Sequence, residues 1–245
     1  MKRRTLLTIL AAAAFAPSAR AASPDWQASL IAGGFDGQNY LAGLRIMLAP
    51  GWKTYWRVPG EAGVPPDIKV SGDNLDGFEV QLPLPKRIID ESGEAIGYHD
   101  EVIFLLVLKP KSADQPVSAH VSAFFGVCQN ICKPAKFDAT LDLKPGINEA
   151  DPLLAAWRAR LPAPSAFITS ARQTGTELVL SLKQQIDDIF VEGPDGLYFR
   201  KPAFSQGKAT IKIDGLQDGQ KLAGTDLRVT VEMQGKGLEQ VLKIA

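Results

Sequence analysis

Residues 117–125, "VSAHVSAFF", put Val117, Ala119, Val121, Ala123 and Phe125 on one side of an extended chain and Ser118, His120 and Ser122 on the other. A period of two cannot lay a continuous apolar face along a helix. It marks a half-buried antiparallel strand. The same rhythm returns in "LRIMLAP" (Leu44, Ile46, Leu48), "FEVQLP" (Phe78, Val80, Leu82) and "FDATLDL" (Phe137, Ala139, Leu141, Leu143). Glycine and proline clusters separate these segments, as the turns of a β-sandwich require. The pattern predicts an all-β fold.

One segment departs from the rhythm. "NEADPLLAAWRARLP", 148–162, is rich in Ala, Leu and Arg and ends on a proline. It reads as a short helix with Asp151 as N-cap and Pro152 in the first turn. The "LPAPSA" that follows reads as linker. Strand patterns then resume at Leu178, Leu180 and Leu182, in "DIFVEG" and "ATIKI", at Leu227, Val229 and Val231, and in "EQVLKI". The expected organisation is a β-domain at 24–147, a helix and linker at 148–163, and a second, smaller β-domain at 164–245. No fixed-period repeat points to a solenoid.

Residues 1–21 read as a signal peptide. Lys2, Arg3 and Arg4 precede the short apolar run "TLLTILAAAAFA", and Ala19-Arg20-Ala21 fits a small-x-small cleavage site. The run is too short to span a bilayer, and so is "VIFLLVL" at 102–108. Removing the segment takes away Lys2, Arg3, Arg4 and Arg20, leaving 23 basic residues against 27 acidic, a net charge of −4. That balance argues against a nucleic-acid surface. The product is expected to be exported, periplasmic in a Gram-negative source, and not itself membrane-spanning.

Exported proteins live where disulfides persist, yet this chain has only two cysteines, Cys128 and Cys132. Four residues of extended strand span ~13 Å, whereas disulfide-bonded Cα atoms lie within ~7 Å. The chain must therefore turn if the two are to bond. One strand pattern ends at Phe125 and another begins near Phe137, so the pair is expected on a hairpin connection. A five-residue ring contributes only ~2 kcal/mol in the loop-entropy model, against ~4.7 kcal/mol for a 100-residue loop. Such a pair is a poor staple and a good switch, because a small ring can open without unfolding the domain. A purely local, turn-closing disulfide stays open as the alternative. Lys133 and Lys136 would favour a thiolate, and acidic residues folding back would oppose it. The spacing is not that of a thioredoxin site.

"FFGVCQNICKPAKFDATLDL", "GWKTYWRVPGEAGVPP" and "PKRIIDESGEAIGYHDEVIFLLVL" together resemble the N-terminal periplasmic domain of the thiol:disulfide interchange protein DsbD, most closely the variant in ScsB proteins and their stand-alone exported relatives. The resemblance covers residues 25–145 well and the second β-domain more loosely. It implies an immunoglobulin-like β-sandwich that shuttles electrons through one cysteine pair, Cys128 and Cys132, with no cofactor. It also implies two kinds of partner: a membrane electron-conduit protein of the DsbD/CcdA type as reductant, and exported thioredoxin-like or disulfide-containing proteins as acceptors. In the family a cap loop with adjacent acidic residues and an aromatic covers the cysteines. Asp90 and Glu91 match the acidic pair, Ser92 stands where the aromatic would be, and Tyr55 matches an active-site tyrosine. The cysteine spacing is shorter than in the classical domain.

Copper handling is the rival chemistry. Two thiols in Cys-x3-Cys suit Cu(I), a soft ion, and Sco-type copper chaperones use that spacing with a distant histidine. His99 and His120 are the available third ligands, and both read more simply as exposed residues. Trp52, Tyr55 and Trp56 form either a binding ledge or a core plug. A non-catalytic adaptor with a structural disulfide is the third class.

Overall fold

The alternating segments fold into ladders. In this computed structural model, which describes residues 24–61, 63–91, 93–146 and 151–245, the strands in chain order are β1 (Trp26–Phe35), β2 (Tyr40–Leu48), β3 (Lys53–Gly60), β4 (Asp67–Asp73), β5 (Leu75–Gln81), β6 (Lys86–Asp90), β7 (Gly93–His99), β8 (Glu101–Pro110), β9 (Val117–Cys128) and β10 (Cys132–Leu143). The signal peptide expected at 1–21 lies outside the described residues. One sheet runs β1-β2-β8-β5. The other runs β10-β9-β3-β7-β6, with β4 also paired to β9. Leu44, Ile46 and Phe125, inward positions that the alternation marks, are buried in one cluster with Phe104 and Val127. The result is an immunoglobulin-like β-sandwich.

Helix α1 (Pro152–Arg158) follows. Asp151 Oδ1 accepts hydrogen bonds from the backbone N–H groups of Leu153 and Leu154, at 2.8 and 3.3 Å, with Pro152 beginning the helix. Two first-turn donors are thereby satisfied. Leu154 and Trp157 are buried in the core of the first sandwich. Gly43 leaves room for Leu154, since a Cβ there would lie 2.6 Å from Leu154 Cδ1. The segment after the sandwich is therefore seated on it rather than strung between two bodies.

The remaining strands are β11 (Ala163–Pro164), β12 (Ile168–Thr174), β13 (Glu177–Leu182), β14 (Asp188–Glu192), β15 (Tyr198–Phe199), β16 (Ala203–Ser205), β17 (Lys208–Asp214), β18 (Asp226–Met233) and β19 (Lys236–Lys243). They form a sheet β11-β19-β18-β14 and a sheet β12-β13-β17-β15, with β16 on β17. Leu178, Leu180, Ile211, Val229 and Val231 belong to a second core. The "LPAPSA" stretch contributes β11, which pairs in parallel with β19.

The two β-regions share more than a chain connection. Phe190 on β14 belongs to the first region's buried cluster and packs edge-on against Trp56, ring centroids 5.9 Å apart. Arg57 pairs with Glu192 at 2.6 Å and Glu239 at 2.7 Å. Arg87, its side chain 4 % exposed, bonds both oxygens of Asp188 at 2.9 and 3.0 Å and the Ile189 carbonyl at 2.8 Å, and also pairs with Glu94. Lys86 reaches Glu232, and Arg200 holds Glu61 with two bonds of 2.8 and 3.0 Å. The second region thus grips β3, the residue after it, and β6. Among the described residues no helix is long and apolar enough to cross a membrane.

Candidate functional site

Strand β9 ends at Cys128 and β10 begins at Cys132, so the two cysteines close the hairpin. They form a disulfide, with Cα atoms 4.1 Å apart. The two ends of the bond differ in access. Cys128 is 1 % exposed, whereas Cys132 is exposed. Ile131, between them, is 75 % exposed.

Tyr55 binds the pair from β3. Its hydroxyl donates to Cys128 Sγ at 2.8 Å and lies 3.2 Å from Cys132 Sγ. Burial, with the charge of Asp90 added, pushes Tyr55 above the usual tyrosine value, so at neutral pH it is a hydrogen-bond donor. Two glycines make room for its ring. A Cβ at Gly63 would fall 2.5 Å from Tyr55 Cδ1, and one at Gly126 would fall 3.1 Å from Cε2. Tyr55, Ile88, Ala95 and Cys128 form a small buried cluster apart from the main core.

Ile88 and Ala95 in that cluster come from the β6–β7 hairpin. Lys53 lies opposite His99 on β7, and Asp90 opposite Gly93. In a flat sheet those positions stand about 20 Å apart along the strands. Yet Lys53 Nζ meets Asp90 Oδ2 at 2.6 Å. The β6 and β7 strands therefore bend so that Asp90 comes back toward the face that carries Lys53, Tyr55 and Cys128. Asp90 anchors this bend, and Glu91 is exposed on the turn beyond it.

The other expected residues fall elsewhere. Lys133 places its ammonium 2.6 Å from Asp25 Oδ2 and 4.8 Å from the centre of the Trp52 ring, so its charge is committed to another carboxylate. Trp52 and Trp56 are buried core residues rather than an exposed ledge. His99 Nδ1 lies 3.0 Å from the Trp52 carbonyl. His120 stands eight positions before Cys128 on β9, about 26 Å along a strand. Among the described residues no group of three or more His, Cys, Asp or Glu side chains is arranged to hold a metal ion. Lys53 is the residue that sequence reasoning missed. Its signal was available: it sits two positions before Tyr55, hence on the same strand face.

A family model described as "Thiol:disulfide interchange protein DsbD, N-terminal" matches residues 20–143. The chain belongs to the DsbD N-terminal domain family. The DsbD match spans β1 to β10, the whole sandwich that carries the cysteines. Structural likeness reaches further. The N-terminal periplasmic domain of ScsB from Proteus mirabilis superposes with a TM-score of 0.73 at 25% identity, covering 91% of this chain and 94% of that one. α1 and the second β-region therefore recur in an ScsB-like arrangement. The reduced DsbD N-terminal domain of Neisseria meningitidis is also similar, at 16% identity and a TM-score of 0.29, over 48% of this chain and 83% of that one. No curated protein sequence matches the chain.

Proposed function

We propose that this protein is a periplasmic thiol–disulfide exchange protein that passes electron pairs through Cys128 and Cys132 to exported disulfide proteins. The observation that carries the reading is the asymmetry of the pair: one sulfur accessible on Cys132, the other buried on Cys128 against Tyr55. In the reduced protein the Cys132 thiolate attacks one sulfur of a substrate disulfide. A Cys132–substrate bond forms, the substrate S–S bond breaks, and the first substrate thiolate leaves. The Cys128 thiolate then attacks Cys132 Sγ, re-forms the intramolecular disulfide and expels the second substrate thiolate. The protons given up by the two cysteines end on the two substrate sulfurs. Two electrons have moved and the substrate leaves as a dithiol.

The pair is recharged by the reverse exchange with a reduced partner, for which a membrane electron-conduit protein of the DsbD/CcdA type is the fitting class. Family membership and the likeness to a periplasmic ScsB domain support the exported location. The midpoint potential tests the reading. A pair that exchanges with partners should equilibrate above about −300 mV, the region below which structural exported disulfides lie. A lower value, with no reduction of any thioredoxin-like disulfide by the reduced protein, would leave the pair as a local turn closure.

A further inference from the structure

Lys53 is 2 % exposed, and its ammonium rests on Asp90. Lysine is almost never so buried unless paired, and burying an ammonium is costly even then. An apolar side chain would fill the same space without that cost. The placement gives the charge a use. Lys53 stands directly opposite Cys128 in the β3–β9 ladder, so both side chains leave the sheet on one face. Tyr55, two positions on, shares that face and bonds Cys128 Sγ. Asp90, at the exposed edge of the same site, sets a negative charge beside Lys53 and Tyr55. Burial and a neighbouring carboxylate each oppose a thiolate.

We propose that Lys53 is a positioning residue for the exchange step, its buried ammonium neutralising Asp90 so that the buried Cys128 can carry a thiolate. The inference rests on reading the pair as redox-active. When a donor thiolate attacks Cys132 Sγ, the new S–S bond forms and the Sγ–Sγ bond breaks. The electron pair stays on Cys128 Sγ, and the donor's second thiolate then displaces Cys132 to complete the donor's own disulfide. The two protons lost by the donor dithiol end on the two cysteines. The charge that appears on Cys128 does so where Asp90 is already balanced.

The other charged groups around Cys128 are engaged or outside. Glu94 on β7 is held by Arg87, and Lys133 on β10 by Asp25. His99 on β7 lies against the Trp52 carbonyl, and Glu91 is exposed on the turn.

The test uses a Cys132→Ser protein, in which Cys128 is the single thiol and is titrated by the ultraviolet absorbance of its thiolate. Adding Lys53→Met should raise the Cys128 pKa by about one unit or more. Lys53→Arg should stay near the parent, and Asp90→Asn should lower the value. In the two-cysteine protein, Lys53→Met should shift the equilibrium with glutathione toward the disulfide. A Lys53→Met titration that overlays the parent overturns the inference. Should Lys53→Met fail to fold, Asp90→Asn decides alone, and an unmoved or raised value overturns it. No partner protein enters this measurement, so losing the Lys53 role and losing the redox reading give different results.

Discussion

At the scale of single residues the site is a buried sulfur, a hydroxyl and a charge pair. Tyr55→Phe removes the hydrogen bond to Cys128 Sγ but leaves the ring in its slot between Gly63 and Gly126. A hydrogen bond to a charged group contributes about 1.5 kcal/mol, so reduction of the disulfide by a small dithiol should slow about tenfold, with the thermal midpoint little changed. Stopped-flow kinetics on the two proteins would check it. Removing both sulfurs, by Cys128→Ser with Cys132→Ser, should cost only about 2 kcal/mol in denaturant unfolding, because the ring is small. The four tyrosines make a further expectation. Burial is the leading cause that raises Tyr40, Tyr55, Tyr98 and Tyr198 above the usual value. A folded value above the unfolded ~10 gives stability that is fully present below ~10 and is lost as pH rises through the folded values. Tyrosinate absorbance should therefore appear together with unfolding. A full tyrosinate signal near pH ~10 from a still folded protein would contradict this.

Among the elements, the β6–β7 hairpin is the one with a task. Its base is tied to β14 by Arg87 and its end to β3 by Asp90. Breaking a buried, hydrogen-bonded pair by removing one partner costs about 3–5 kcal/mol. Asp188→Ala should approach the lower end of that range, and amide exchange in 86–97 should rise more than in β1 or β2. Uniform loss of protection would mean that the tie is merely part of the global core. β9 and β10 were legible because each buries alternate residues of a continuous run, whereas β2 and β8 are buried almost throughout and were legible by their strand-length apolar runs. Residue pairs such as Asp151 with Pro152 announced the helix in the same local way. The bend of the hairpin was not legible. It depends on Lys53 meeting Asp90, residues whose separate neighbourhoods look like an ordinary strand and an ordinary polar turn. Lys133 shows the converse: it is adjacent to Cys132 in sequence, but its ammonium pairs with Asp25, far away along the chain.

For the whole molecule, the shared cluster around Trp56 and Phe190 has an energetic consequence. Two β-regions joined by a slack linker would melt separately, whereas these share a buried cluster in which Phe190 packs on Trp56. Calorimetry should give a single cooperative transition, and Phe190→Ala should lower the stability of the whole by about 3–4 kcal/mol. Two resolved transitions would show that the regions are independent. The same architecture presents one sulfur to the outside and holds the other buried, and this asymmetry is the central claim. It is tested most directly by trapping in the exported compartment. The Cys128→Ser variant keeps the accessible Cys132 and lacks the thiol that resolves its adducts. It should accumulate a covalent mixed disulfide with a thioredoxin-like or other disulfide protein, visible as a reductant-sensitive band. Cys132→Ser should accumulate none. Adducts through Cys128 instead, or no adduct from either variant, would contradict the account.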